Sequence, residues 1–309
     1  MNYLLHYKKI WLLVPVFIYM SIALTMPQAH AQQTTVTSQL THIKDQVQQL
    51  FELQDSTTIP EQQKELQEFR LRQQILTNII TAAKQQVADA RSRLQDATLP
   101  QDNNETWKNI RDTILAGFDR ANEYYGYAYD RVNHDSSVTT ALLKNVARDI
   151  EQEKTTVIDP LIKQAHTIVA ALTVQNMLQI GDDRLEKIRL DVQKIYEQKL
   201  TKSKALQNLF DTASSTLGQA HRADQNAQEI ILHSYTPQPN ASDTQYIDDL
   251  YTNTASSTAS TTPQDTTQES RLSFIEKLLQ KNITDAITGI KSVYDTFLEM
   301  SSNVKNYLK

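Results

Sequence analysis

The scarcity of glycine is the feature that most restricts what this chain can fold into. It has five glycines among 309 residues, far below the average usage of roughly 7%. Glycine-rich phosphate loops, tight hairpins and doubly wound nucleotide folds need more of it, because they require φ > 0 or close backbone approach. Gln, Ala, Leu, Lys, Glu and Asp dominate instead. The sequence predicts an all-α protein, an elongated antiparallel helical bundle or coiled coil with a tethered C-terminal amphipathic helix.

The N-terminus has the three parts of an export signal. Lys8 and Lys9 form a basic head, an apolar run extends from Ile10 to Met26, and Ala29-His30-Ala31 follows. Small residues at −3 and −1 predict cleavage after Ala31, so residues 1–31 are read as a signal peptide. The alternative is an uncleaved anchor, which would be the one contact of the chain with a membrane. We therefore expect an exported protein in the periplasm, on the cell surface or outside the cell.

Cysteine and charge exclude several kinds of chemistry and partner. The chain has no cysteine, so disulfides, thiol catalysis and cysteine–zinc sites are excluded. The net charge is −5, and loss of residues 1–31 would remove two lysines and make it more negative. An acidic chain argues against nucleic acid and anionic membrane surfaces as main partners.

Residues 32–235 carry apolar side chains at alternating steps of three and four, which predicts a bundle of long helices. Pro60 and Pro100 separate the first three helices. Asp159-Pro160 predicts a kink or a new helix start. Gly181 followed by Asp183 predicts a helix stop and restart. The first three stripes are Val36, Leu40, Ile43, Val47 and Leu50; Phe69, Gln73, Leu76, Ile80, Ala83, Val87, Ala90, Leu94 and Ala97, which only Gln73 interrupts; and Trp107, Ile110, Ile114, Phe118, Ala121, Tyr125, Ala128, Tyr129 and Val132.

The stretch EYYGYAYDR, residues 123–131, contains four tyrosines that suggest an aromatic ligand-binding patch. At about 100° per residue, however, Tyr125 and Tyr129 fall on the buried stripe and Tyr124 at its margin. Tyr127 points away and can stack on the arginine four positions later. Helical packing therefore explains the spacing, and the patch is kept as the alternative.

The composition changes after the bundle. Residues 236–270 are rich in Ser, Thr, Pro, Asn and Asp, which predicts a disordered linker. Within it, YIDDLY at 246–251 is either a stray helical turn or a short docking motif. Residues 271–309 form a regular heptad, which predicts an amphipathic helix that pairs with the bundle or with another chain. Its predicted partner-binding residues are Ile283, Ile290, Val293, Phe297 and Val304.

No motif indicates catalysis or metal binding. The histidines that remain after cleavage are scattered and do not share a helical face, so no metal site and no cofactor are predicted. Paired carboxylates such as Asp182/Asp183 and Asp248/Asp249 are read as solvated charges. The sequence favours a protein that is not an enzyme, with a ligand-binding site between helices as an alternative.

Two stretches resemble a known family. The resemblance is to the minor pilus-tip subunits of type IV secretion and conjugation machines. It is carried by AHAQQ followed by QLTHIKDQVQQL, and later by AHTIVAALTVQNMLQIGDDRLEKI. That resemblance covers about half the chain and implies an exported, glutamine-rich helical bundle in such a machine. It transfers no functional residue to this sequence.

These patterns together predict an exported adaptor, spacer or assembly component of a cell-envelope or surface structure. An apolar seam would drive contact with protein partners, or with another copy of the chain, and flanking charges would select the partner. The alternatives are a pilus-tip or channel-associated subunit and a ligand-binding bundle.

Overall fold

The computed structural model describes residues 30–101, 103–135, 138–197, 203–235 and 268–307, and these are almost entirely helical. The protein is an all-α helical bundle, as its low glycine content predicts. The predicted signal peptide, residues 1–31, lies outside the described residues apart from its last two positions. The helices are α1 (His30–Asp55), α2 (Glu61–Asp96), α3 (Asn104–Asn133), α4 (Thr140–Glu153), a π turn (Lys154–Ile158), α5 (Asp159–Glu197), α6 (Ser203–Tyr235) and α7 (Gln268–Tyr307).

The chain divides into two compact units, and α2, α3 and α5 each contribute to both. The first unit contains the residues up to Ser92 together with Ala116–Lys163, and the second contains Arg93–Leu115 and the residues from Gln164 onward. The elongated shape of the bundle stays a prediction.

In the first unit, α1 and α2 form an antiparallel pair. Ile43, Val47 and Leu50 of α1 pack on Ile75 and Ile79 of α2. The turn between them is closed by Lys64, whose Nζ donates to the carbonyl oxygens of Gln54 at 2.7 Å and Ser56 at 3.3 Å. The bond to Gln54 satisfies an acceptor that the end of α1 leaves without an intrahelical partner, and the bond to Ser56 holds the residue that follows the helix.

The other face of α2 packs on α3. Leu76, Ile80, Ala83, Val87 and Ala90 are buried, as the predicted stripe requires. Gln73, the one polar residue within that stripe, donates from Nε2 to the Val132 carbonyl at 2.6 Å. Arg91 and Asp119 form an ion pair at 2.8 Å further along. Helix α2 therefore buries two faces, whereas the sequence pattern predicted one.

The new helix start that the sequence offered at Asp159-Pro160 is wrong, because α4 continues through the π turn into α5. Proline has no backbone N–H and clashes with the carbonyl of the preceding turn in a regular α-helix. Here the Asp159 N–H bonds to the Lys154 carbonyl, five residues back, which locally widens the helix. Asp159 is not an N-cap; its carboxylate binds the Lys154 Nζ at 2.6 Å.

In the second unit, α5, α6 and α7 pack as successive antiparallel neighbours, so that α5 and α7 run parallel. Gly181 of α5 faces Leu217 of α6, and Gly289 of α7 faces Ala220 of α6. The helix stop predicted at Gly181 is also wrong, because α5 continues to Glu197. A Cβ at this position would lie 3.1 Å from Leu217 Cδ1. The glycine therefore permits close packing of α5 on α6 and does not end the helix.

Among the described residues, one continuous helix, Thr140–Gln193, is long and apolar enough to cross a membrane by length and composition, and 39% of its most apolar window is buried within the protein. The core helix of a soluble protein meets the same criterion. Its buried residues include Ile158, Ala165, Ile168 and Leu178, which pack inside the bundle.

Candidate functional site

The histidines do not come together with other metal ligands. Across the described ranges, no group of three or more His, Cys, Asp or Glu side chains is placed to hold a metal ion. His221 Nε2 lies 3.0 Å from Asp182, and His134 Nδ1 lies 3.1 Å from Asp130, so both form simple exposed pairs. Burial, and secondarily Arg93, lowers the pKa of His166.

The four tyrosines of α3 face different surroundings. Tyr125 is 1% exposed, which confirms its place in the core, and Tyr129 is half-buried. Tyr124 packs edge-to-face on Tyr125, with ring centroids 5.7 Å apart. Tyr127 is 64% exposed, and the Arg131 guanidinium lies 5.7 Å from its ring centroid, as predicted. The four rings therefore do not form one continuous face, and ligand binding by them stays a prediction.

A buried ionic cluster lies beside Tyr125. Lys154 is almost fully buried, and its Nζ bonds to both Asp159 carboxylate oxygens, at 2.7 and 2.6 Å. Burial, followed by Asp159, raises the pKa of Tyr125 above its usual range. Since the two charges neutralise each other next to the π turn, the cluster has a structural explanation.

The residues predicted to bind a partner lie in the interface between α7 and α6 of the same chain. Ile283, Ile290, Val293 and Phe297 are buried there, together with Leu279 and Ala286. The side chain of Val304 lies outside the described part of the chain. In this state the apolar seam of α7 is occupied by α6, and binding of a separate partner by these residues stays a prediction.

A second apolar stripe remains exposed on α7. This stripe consists of residues at steps of four, three and four, which share one side of the helix: Ile287, Lys291, Tyr294 and Leu298. Ile287 is 44% and Leu298 70% exposed. On α5, Met177 and Ile180 precede Arg184 at steps of three and four and are 37% and 48% exposed.

These two stripes meet where Arg184 stacks on Tyr294. The guanidinium carbon lies 4.7 Å from the tyrosine ring centroid, and the same ring packs edge-to-face on Phe297. Because α5 and α7 run parallel, Met177 and Ile287 lie at the same height, each seven residues before the stacked pair. We call this surface the outer strip and define it as Met177, Ile180, Arg184, Ile287, Lys291, Tyr294 and Leu298.

The charges around the outer strip are mainly basic. Arg184 and Lys291 lie in it and Lys187 borders it, while Asp191 and Asp295 are the bordering carboxylates. Three cations thus stand against two carboxylates, a small local excess of positive charge on a chain whose net charge is −5. Contiguous apolar residues rimmed by charge are typical of protein interaction sites.

One ionisable residue is buried in the seam of α6. Asp224 is 4% exposed, accepts a hydrogen bond from Gln228 Nε2 at 2.6 Å, and has no partner for Oδ1 among the described residues. Burial raises its pKa to about 6, against the opposing effects of Gln228 and His221. A single polar residue in an apolar seam can fix helix register at a cost in stability.

Comparisons with known proteins identify no relative. No family model, no curated protein and no solved structure matches the chain. The resemblance to minor pilus-tip subunits therefore stays a prediction.

The sequence does not single out the outer strip, because the buried stripe of α7 is the stronger apolar pattern on that helix. The steps from Ile287 to Leu298 are visible in the sequence, but Lys291 interrupts the apolar character. The pairing of this stripe with Met177 and Ile180 depends on α5 and α7 packing on the same helix, which no local pattern shows.

Proposed function

We propose that this protein is an exported, non-enzymatic adaptor or assembly component of a cell-envelope or surface structure, and that it acts by helix–helix association. The observation that carries the proposal is the outer strip, an exposed apolar surface with basic flanks on two parallel helices. A third helix with an apolar stripe fits such a groove, in the way that amphipathic helices fit grooves in other recognition systems.

The arrangement of α7 supports placing recognition on the outer strip. Its strongest apolar stripe is already buried against α6, so the surface available to a partner is the one that includes Ile287 and Leu298. Export rests on the basic head, apolar run and small residues of the N-terminus. The partner that complements this surface is a helix with apolar residues and acidic flanks.

In-cell photocrosslinking tests the proposal. A photoreactive amino acid replaces Leu298 or Ile287 in cells that produce the protein, and covalent adducts are detected by mass spectrometry after irradiation. We expect a discrete protein adduct from both positions. We also expect it to disappear when Met177→Asp and Ile180→Asp are added, because charged side chains would oppose burial of the strip.

Leu190 provides the matched control. It is 43% exposed on α5, but it lies about 120° around the helix from Arg184. The proposal predicts no adduct from Leu190. Equal adducts from Leu190 and Leu298, or none from either strip position, would contradict it.

A further inference from the structure

We propose that Asp224 makes the docking of α7 sensitive to pH, so that α7 separates from α6 more often when the Asp224 carboxyl is ionised. The inference concerns how the chain holds its own last helix, and it does not rest on the proposed partner. It follows from the position of Asp224, from the groups around it and from the way α7 packs.

Asp224 lies where α6 meets both of its neighbours. On α6, Ala220 faces Gly289 of α7 and Leu217 faces Gly181 of α5. At about 100° per residue, the Asp224 side chain points between these two directions, about 40° from Ala220 and about 20° from Leu217. It is buried, so its carboxyl is enclosed at the junction of the three helices.

The side chains at the level of Asp224 are apolar. Because α6 runs antiparallel to both neighbours, counting along the helices from the two glycine contacts places Val174 of α5 and Ile283 and Ala286 of α7 beside it. All three are buried. Gln228 donates to Oδ2, whereas Oδ1 has no partner among the described residues. Ionisation would therefore leave a buried charge with a single hydrogen bond, which is costly.

The nearby ionisable groups are engaged with one another. On α5, residues 168–181 contain none. On α7, Lys281 donates to Asp285 at 2.6 Å on the exposed side of the helix. On α6, His221 lies 3.0 Å from Asp182 of α5, one turn away from the buried carboxyl. Among the described residues, no cation forms an ion pair with that carboxyl, so its charge is not compensated within the junction.

Separation of α7 would relieve the cost of this charge. Helix α7 covers one side of the junction, and its departure would expose the carboxyl to solvent without unfolding another helix. Local opening of a single element costs less free energy than global unfolding. The same movement would expose Ile283, Ile290 and Val293, which the sequence predicts to bind a partner. Higher pH would thus favour access to the buried stripe of α7.

The direction of the effect follows from the two states of the carboxyl. Burial raises the pKa of Asp224 to about 6 from the ordinary 3.8, so the docked state binds its proton more tightly than the open state. Docking is strongest below the ordinary pKa and weakens as pH rises through about 6. Between pH 4.5 and 7.5 the open fraction of α7 should increase about 25-fold. The docked arrangement remains the main one at both pH values.

Hydrogen exchange of the full chain tests the inference. Mass spectrometry follows the amides of α7 between Leu279 and Met300 at pH 4.5, 6 and 7.5, after correction for the pH dependence of unprotected amides. We expect their protection to fall about 25-fold over this range, while the protection of α3, which lacks a contact with Asp224, changes much less. In Asp224→Asn the fall should be absent, because the amide does not ionise.

Gln228→Ala provides a second variant that leaves the carboxyl in place. The hydrogen bond from Gln228 opposes the rise in pKa, so its removal should move the midpoint of the protection change to higher pH. Circular dichroism checks that both variants keep their helices.

Three results would overturn the inference. The first is an equal fall in α7 protection in the wild type and Asp224→Asn, and the second is an equal fall in α3 and α7, which would indicate global unfolding. If Asp224→Asn fails to fold, Gln228→Ala decides, and a midpoint that this variant leaves unmoved is the third.

Discussion

Tyr125 and Tyr127, two positions apart on α3, show how burial decides the role of a residue in this protein. Tyr125 is fully enclosed in the bundle, whereas Tyr127 projects outward and stacks under Arg131. The same residue type therefore serves as a core side chain at one position and as a solvated surface group at the other.

Replacing each tyrosine with alanine should separate these roles. Tyr125→Ala removes a buried ring and should lower the free energy of unfolding by about 3–5 kcal/mol. Tyr127→Ala loses only the exposed contact between the ring and Arg131, and it should lower the free energy of unfolding by less than about 1 kcal/mol. Urea unfolding followed by circular dichroism measures both. Similar losses from the two variants would show that the assignment of core and surface is wrong.

Asp224 should make stability fall as the pH rises. Its folded-state pKa of about 6 lies above the ordinary value of 3.8, so between these values the native state binds more protons than the unfolded state. The stabilisation is present below the ordinary pKa and is lost as pH rises through about 6. The free energy of unfolding changes by at most about 3 kcal/mol in total, because each unit of pKa difference is worth roughly 1.4 kcal/mol.

Thermal unfolding at pH 4.5 and pH 7.5 checks this expectation against Asp224→Asn. The variant lacks the titrating carboxyl, so its melting temperature should fall less than that of the wild type between the two conditions. An identical pH dependence in both proteins would assign the effect to other groups.

At the scale of elements, α6 and α7 approach closely at a glycine. A Cβ added at Gly289 would lie 2.9 Å from Ala220 Cβ, whereas nothing lies within 4 Å of a Cβ added at Gly218. All five glycines lie inside helices, and the residue with positive φ in the described structure is Asn103. Gly117, Gly181 and Gly289 therefore permit close contact between helices, whereas Gly126 and Gly218 have open space beside them, and none of the five has a positive φ.

Alanine substitution at these two glycines should have opposite effects. Gly218→Ala should stabilise the protein by about 0.5–1 kcal/mol, because alanine is the better helix former and has space there. Gly289→Ala gains the same helix propensity, but its Cβ would clash with Ala220 and push α7 away. Such overpacking should lower the free energy of unfolding by about 1–3 kcal/mol. Differential scanning calorimetry measures the stability of both variants. Stabilisation by both would mean that α6 and α7 are not in close contact at Gly289.

The sequence predicts most helix faces and few of the interruptions. The stripes of α2 and α3 are confirmed because a bundle helix must bury an apolar face, and the residues of such a face recur in the sequence at steps of three and four. The stop at Gly181 fails because packing on Leu217 outweighs local capping signals. The break at Asp159-Pro160 fails because a π turn accommodates the proline within a continuous helix.

The second buried face of α2 and the outer strip were not predictable in the same way. Ile75 and Ile79 are buried because α1 packs on that side of α2. Ile287 and Met177 share a surface because α6 holds α5 and α7 side by side. In both cases the information lies in which helices are neighbours, and a single stripe does not specify its neighbour.

At the scale of the whole molecule, the position of α7 decides which surface the protein offers. With α7 on α6 of the same chain, Ile290 and Val293 belong to the core and the outer strip faces outward. If α7 instead paired only with another chain, the apolar seam of α6 that it now covers would be exposed. The proposed function depends on the first arrangement.

Hydrogen exchange of α7 amides in the isolated protein tests this arrangement most directly. The account predicts strong protection between Leu279 and Met300, comparable to that of α6 and unchanged when the protein is diluted to low nanomolar concentration. Rapid exchange along α7, or protection that disappears on dilution, would show that α7 does not fold back onto its own chain and would contradict the account.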